Sequence, residues 1–312
     1  MSDIVIEASG LGRAFGDMWA VRGLDLVVRR GEIFGLVGPD GAGKTTTMRM
    51  LTGILAASEG HATVAGFSIR DDAEAIKARI SYMSQRFGLY GDLTVEENLR
   101  FYADLYEVPR RVREPLEERL LGFSNLTPFR KRQARNLSGG MKQKLGLACA
   151  LIHKPEILFL DEPTNGVDPV SRRDFWRILY AMLKEGVTIF VSTAYLDEAE
   201  RCTRVGLMHQ GRLVQCDTPQ KLKEGIPGLL LELETAQPRV AREALATRLG
   251  SNRVSLFGGK LHLYAADEGE AEQARTVLRE ANISVLGENT ITPSLEDVFI
   301  YQLTRNKVET AA

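Results

Sequence analysis

The chain has little of what would place it outside a cell or within a membrane. Its 312 residues include only three cysteines, Cys149, Cys202 and Cys216, and none is in CxxC spacing. An odd, scattered set favours reduced, packed thiols over a disulfide framework or a zinc site. No uninterrupted apolar run approaches the roughly 20 residues of a membrane helix, and Met1-Ser2-Asp3-Ile4 lacks a charged and apolar leader. The expectation is a cytosolic chain, neither secreted nor membrane-spanning. Charge of one sign is scarce too. A net charge of −1 argues against a surface built for nucleic acid, which needs clustered Lys and Arg.

What is present is an ordinary globular composition, with 44% hydrophobic and 26% charged residues. The length exceeds what one compact core usually holds, so two domains are expected.

Ile4-Val5-Ile6-Glu7 alternates apolar and polar residues, and Ala20-Val21-Arg22-Gly23-Leu24-Asp25-Leu26-Val27-Val28 follows after a turn. Both stretches read as strands of an antiparallel edge. Phe15 lies between them; an aromatic there can stack on adenine, or simply serve the core.

The run Gly38-Pro39-Asp40-Gly41-Ala42-Gly43-Lys44-Thr45 reads G-x-x-x-x-G-K-T. Ile33-Phe34-Gly35-Leu36-Val37 precedes it as an apolar strand, and Thr46-Thr47-Met48-Arg49-Met50-Leu51 follows as a helix-like run. In that context the motif is a phosphate-binding loop. Gly38, Gly41 and Gly43 let the backbone, with Ala42, turn tightly and aim N–H groups at phosphate oxygens, while the positive helix end adds attraction. Lys44 reaches the terminal phosphates, Thr45 offers its hydroxyl to Mg2+, and a nucleoside triphosphate is the expected ligand.

Further along, Gly60-His61-Ala62-Thr63-Val64-Ala65-Gly66 reads as a hairpin and residues 73–79 as a surface helix. Ile80-Ser81-Tyr82-Met83-Ser84-Gln85 reads as a buried strand ending in an amide. From Thr94 to about Leu121 the pattern is helical, opened by a capping box of Thr94 and Glu97. Asn136-Leu137-Ser138-Gly139-Gly140 then leads into an apolar helix, and Ser138 with the N–H groups of Gly139 and Gly140 forms a second potential anion site. Ile157-Leu158-Phe159-Leu160-Asp161-Glu162 suits a strand buried on both faces and ending in two acids. Asp161 is placed to hold magnesium through water, and Glu162 to orient or deprotonate an attacking water.

Taken in order, these motifs resemble the nucleotide-binding subunits of ABC transporters over roughly residues 1–225. The resemblance rests on the phosphate loop of residues 38–45, the glutamine loop at Gln85, the Leu137-Ser138-Gly139-Gly140 signature and the strand ending in Asp161 and Glu162. Asp168 in Gly166-Val167-Asp168-Pro169 and Phe15 also match family positions. The short interval between Lys44 and Ser138 leaves no room for the coiled-coil arm of chromosome-organising relatives.

The resemblance implies an α/β P-loop NTPase of the ABC ATPase type, with an antiparallel β edge and a helical subdomain over about residues 86–150. It implies ATP and Mg2+ as cofactors, with Phe15, Gly38, residues 40–46, Ser138, Gly139, Gly140 and Asp168 binding nucleotide. Thr45, Gln85 and Asp161 would serve the metal, and Glu162 with Gln85 the reaction. Two subunits would dimerise head to tail, each ATP held by one subunit's phosphate loop and the other's signature. Residues 226–312 show a β-α-β-β-α-β order, that of a small α+β ferredoxin-like domain. The ending Pro293-Ser294-Leu295-Glu296-Asp297-Val298-Phe299 resembles ATP-binding subunits of ABC-2 type multidrug and polysaccharide exporters. That resemblance implies a chain on the inner face of the cell membrane, peripheral through ABC-2 type permease subunits.

One position departs from the family. Aligning Asp197-Glu198-Ala199-Glu200 with the family's acidic run puts Ala194 where a switch histidine normally stands. A methyl group cannot contact a γ-phosphate or hold a proton, so a second ABC subunit, in a heterodimer, is expected to supply the faster site, with a homodimer as the alternative. Asp40 stands where Asn is more usual. The alternatives are a nearly inactive subunit that completes a partner's site, or a soluble ABC protein acting on ribosomes or DNA, which the charge disfavours.

Overall fold

The structure is a computed structural model that describes residues 3–85, 88–251 and 253–311. The chain divides into two compact units, Met1–Cys216 and Asp217–Ala312. The division thus falls ahead of the boundary after Gly225 expected from the sequence. The helix Pro219–Glu224 buries Leu222 and packs against the helix Leu295–Ala311, which ties it to the second unit.

In the first unit β1 (Ile4–Phe15) and β2 (Met18–Arg29) form a long hairpin. Next come β3 (Ile33–Val37), α1 (Lys44–Leu51), β4 (Glu59–Val64), β5 (Phe67–Ser68), α2 (Ala73–Lys77) and β6 (Ile80–Met83). Helices α3 (Val95–Leu105), α4 (Arg110–Phe123) and α5 (Gly139–Ala150) precede β7 (Ile157–Asp161). They are followed by α6 (Pro169–Lys184), β8 (Thr188–Thr193), α7 (Leu196–Ala199), β9 (Arg204–His209) and β10 (Arg212–Asp217).

The strands form a four-stranded sheet, β2-β1-β4-β5, and a six-stranded sheet, β10-β9-β3-β8-β7-β6. Every pairing in the first is antiparallel, whereas β9, β3, β8, β7 and β6 are parallel. β3, β7 and β8 are buried at every position, as continuous apolar strands covered on both faces must be. Because they run parallel, Val37, Asp161 and Thr193 end at the same edge of the sheet, where open α/β sheets place their ligands.

The helical region differs from expectation in one respect. The capping box is present, with Thr94 N–H donating to Glu97 Oε2 at 2.7 Å and Glu97 N–H to Thr94 Oγ1 at 3.3 Å. The single run to Leu121 is instead two helices, broken after Leu105 where Glu107 takes a left-handed φ of 51° and Pro109 precedes α4. The expected start of the subdomain at Arg86 lies outside the described residues.

In the second unit α8 (Pro219–Glu224) leads to β11 (Leu229–Thr235), α9 (Pro238–Leu249), β12 (Val254–Phe257), β13 (Lys260–Ala265), α10 (Glu268–Glu280), β14 (Val285–Thr290) and α11 (Leu295–Ala311). The antiparallel sheet runs β12-β13-β11-β14, the ferredoxin-like arrangement. Leu231, Leu233, Leu245, Leu261, Leu263 and Leu278 fill its own core.

Candidate functional site

After β3 the chain turns into α1 through the glycine-rich loop. Gly43, the residue before α1, has φ 103°, and a Cβ there would lie 2.5 Å from the Ala20 carbonyl oxygen. Only glycine fits that conformation and that approach. Lys44 opens the helix and is 4% exposed. Its ammonium donates to Gly38 O at 2.7 Å and Pro39 O at 3.1 Å, and pairs with Glu162 Oε1 at 3.0 Å. Its three N–H bonds are therefore all occupied.

The acid pair ends β7. Asp161 is 2% exposed; Ser192 Oγ and Thr45 Oγ1 donate to its Oδ1 at 2.7 and 3.0 Å, and Tyr82 OH donates to Oδ2 at 3.0 Å. Burial, with the Asp161 charge adding to it, pushes the Tyr82 hydroxyl up to about 12, so it remains a donor at neutral pH. Glu162 follows in a left-handed conformation, φ 48°, which costs about 1–3 kcal/mol for a non-glycine residue. Its N–H is anchored on Ser192 Oγ at 3.0 Å and Ser192 O at 3.2 Å. From this conformation the side chain reaches back to the phosphate loop. Oε1 meets Lys44, while Gln85 Nε2 and Asn165 Nδ2 donate to Oε2 at 3.3 and 3.4 Å.

These groups border a cleft of ≈ 520 Å³ lined by Phe15, Met18, Ala20, residues 40–46, Gln85, Glu162 and Asn165, within the usual range for a small-molecule site. Phe15 ends β1 opposite Met18, and the two are 46% and 70% exposed, so neither belongs to the core. Asp40 is exposed. The structure thus brings together Phe15, Asp40, Gly41, Ala42, Gly43, Lys44, Thr45, Thr46, Gln85 and Glu162, with Gly38 and Asp161 joined through Lys44 and Thr45.

Ser138, Gly139, Gly140 and Asp168 do not line that cleft; they gather where two helix N-termini meet. Ser138 Oγ accepts from Met141 N–H at 3.3 Å at the start of α5, and Asp168 Oδ1 from Ser171 N–H at 2.9 Å at the start of α6. The latter bond holds the Asp168 carboxyl below the usual range. A Cβ on Gly140 would come 2.4 Å from Ser171 Oγ, so packing between the helices already requires this glycine. Ala194 follows β8 beside a smaller cavity of ≈ 130 Å³ that Glu162, Asn165 and Tyr195 also border. Among the described residues, neither cavity is lined by a histidine.

Sequence reasoning missed Met18, Tyr82, Asn165 and Ser192. Asn165 lies three positions beyond Glu162 and Tyr82 three before Gln85, spacings that single them out only once the neighbouring motif is recognised. Ser192 is found only through the β7–β8 register, which sets it opposite Asp161.

A phosphate loop at the carboxyl edge of a parallel sheet, with a carboxylate bonded to its Thr45 and a second paired with its Lys44, defines a P-loop nucleotide-binding unit. The ABC transporter family profile matches residues 21–165. The chain is 34% identical over 316 residues to the daunorubicin resistance ATP-binding protein DrrA2 of Streptomyces coeruleorubidus, covering 99% of this chain and 98% of that protein. With the Nod factor export ATP-binding protein I of Rhizobium leguminosarum bv. viciae it shares 35% over 312 residues, 99% of this chain and 97% of the relative. It is 44% identical over 305 residues, 96% of its length, to the probable multidrug ABC transporter ATP-binding protein YbhF of Escherichia coli K12, and spans 52% of that relative. Among solved structures, an ATP-binding subunit of an ABC transporter matches at TM-score 0.65 and 28% identity, over 70% of this chain and 92% of the other. The cbiO1 protein from Clostridium perfringens matches at 0.66 and 25%, over 80% and 96%. The chain belongs to the ATP-binding proteins of ABC transporters.

Proposed function

We propose that this chain binds and hydrolyses ATP and drives an ABC-2 type export complex whose membrane subunits are separate chains. The observation that carries the reading is the convergence of Lys44, Asp161 and Glu162 at one sheet edge, beside a cleft that also exposes Phe15. ATP would stack its adenine on Phe15 and place its phosphates along residues 40–46. The hydroxyl of Thr45 and the carboxylate of Asp161, 3.0 Å apart, are hard oxygen donors of the kind Mg2+ takes. With Gln85 they would hold the ion, which supplies charge neutralisation on the phosphates. Glu162 then orients and deprotonates the attacking water.

The separation of the signature group, with Asp168, from this cleft supports a head-to-tail dimer in which each signature closes over the other subunit's ATP. Loss of the γ-phosphate contact would release the dimer and move the permease. The first unit handles ATP, and the second is a packing or dimer-contact module. The names of the relatives, drug resistance and Nod factor export, support export as the task. The chain would sit at the inner face of the cell membrane through its permease.

Ala194 favours a heterodimer. The site that contains it would turn over slowly and act mainly as a nucleotide-held clamp, while a second ABC subunit supplies the faster site. Removing one contact to the γ-phosphate typically lowers rate by tens to a thousandfold. The test is Ala194→His in the isolated chain: turnover should rise without a matching change in ATP affinity. A wild-type rate already typical of complete transporters, unmoved by the substitution, refutes the slow-site reading. Co-purification with a polytopic membrane protein, rather than nucleic acid, tests the export assignment.

A further inference from the structure

The slow-site reading leaves open what orients Glu162 when no histidine does. The carboxylate is held at both ends: Oε1 by Lys44 at 3.0 Å, Oε2 by Gln85 and Asn165 at 3.3 and 3.4 Å. A triphosphate that takes the Lys44 ammonium frees Oε1 and leaves Oε2 bonded, so Oε1 becomes the oxygen available to water.

Asn165 is itself oriented. Tyr195 OH donates to Asn165 Oδ1 at 3.4 Å, which fixes the amide so that its Nδ2 faces the carboxylate. Tyr195 is the residue after Ala194, and both border the small cavity beside Glu162. The tyrosine is in turn held from two sides. Its N–H donates to Thr193 Oγ1 at 3.0 Å, and the Arg172 guanidinium lies 4.5 Å from its ring centroid. Thr193 Oγ1 donates to the fully buried Glu198 at 3.0 Å, and Arg172 Nε pairs with Glu198 at 3.4 Å.

We infer that Tyr195, acting through Asn165, is a positioning residue for Glu162, and that this relay takes over part of the orienting work that Ala194 cannot do. The inference rests on Glu162 acting as base. Each donor in the chain Tyr195 to Asn165 to Glu162 points toward the carboxylate, so the bonds polarise one another and hold one rotamer.

The test measures single-turnover hydrolysis with the full chain in excess over ATP, which resolves even a slow site. Tyr195→Phe removes only the hydroxyl, and should lower the rate of the chemical step by about three- to tenfold, the worth of one neutral hydrogen bond, with ATP affinity unchanged. In Asn165→Ala the same substitution should have no further effect, because the relay is already cut. A Tyr195→Phe rate equal to wild type overturns the inference, as do effects that multiply in the double variant. So does a wild-type chain that hydrolyses no faster than Glu162→Gln. Failure of Ala194→His to raise turnover sinks the slow-site reading instead, and leaves the relay to be judged on Tyr195→Phe.

Discussion

Glu162→Gln has a consequence for binding as well as for catalysis. The carboxylate is the third partner of Lys44, at 3.0 Å with side chains 4% and 13% exposed, so a γ-phosphate that takes the Lys44 ammonium would have to displace it. A bond between two charged groups is about twice as strong as a neutral one. With charge-assisted bonds contributing about 1.5–3 kcal/mol, the amide is easier to displace by about 1 kcal/mol. Removing a negative charge that stays near the γ-phosphate adds a similar amount, about 1 kcal/mol, the Coulomb energy of two unit charges about 4 Å apart in an open cleft with a water-like dielectric constant of about 80. ATP should therefore bind about five- to thirtyfold more tightly to Glu162→Gln, a gain of about 1–2 kcal/mol. Turnover should fall by about 10²–10⁴, the usual loss for a general base. The free variant should also melt lower, since Lys44 loses its buried counter-charge, and ATP should raise its Tm by more than it raises that of wild type. Isothermal titration with a non-hydrolysable analogue, alongside turnover and melting curves, reads all of this. Equal or weaker binding refutes the argument that Glu162 and the γ-phosphate compete for Lys44.

Lys44→Ala should weaken ATP binding by at least about a hundredfold, because it removes charge-assisted bonds of about 1.5–3 kcal/mol each from the β- and γ-phosphates; unchanged affinity in a titration means that the loop is not the nucleotide site. Tyr82→Phe deletes the donor 3.0 Å from Asp161 Oδ2, and should raise the Mg2+ concentration needed for half-maximal turnover about tenfold, the worth of one bond to a charged group; an unshifted Mg2+ titration removes Tyr82 from the metal's support. His153 stacks on Tyr106 with centroids 3.8 Å apart, and bonds to Ile80 O at 3.0 Å. Burial lowers its pKa from 6.5, so on acidification the unfolded chain takes up this proton first. Stability should fall as pH drops below 6.5 toward the folded value. Urea midpoints for His153→Gln should be flatter across that window, and a parallel pH profile means that the proton is not linked to folding.

Sequence alone marked out the P-loop unit and the residues proposed to act in it, because the phosphate loop, the signature and the Asp161-Glu162 pair are each contiguous and readable from local spacing. It also showed the strand and helix order of the second unit, where alternation and glycine turns are local signals. The absence at Ala194 was legible for the same reason, since Asp197-Glu198-Ala199-Glu200 sets the register within a few residues.

Tertiary structure decided what depends on distant segments meeting. That Phe15 is exposed at a cleft rather than in the core follows from the β1–β2 hairpin ending beside the loop of residues 40–46. Ser192 reaches Asp161 because β7 and β8 pair in one parallel register, and Tyr82 because β6 lies beside β7; parallel pairings leave no mark in either strand's own sequence. The division between Cys216 and Asp217 was set by the packing of α8 on α11, elements separated by the whole ferredoxin-like sheet. The grip of Glu162 on Lys44 needed a left-handed backbone at an acidic residue, which propensity does not favour and which the anchoring of its N–H on Ser192 holds in place.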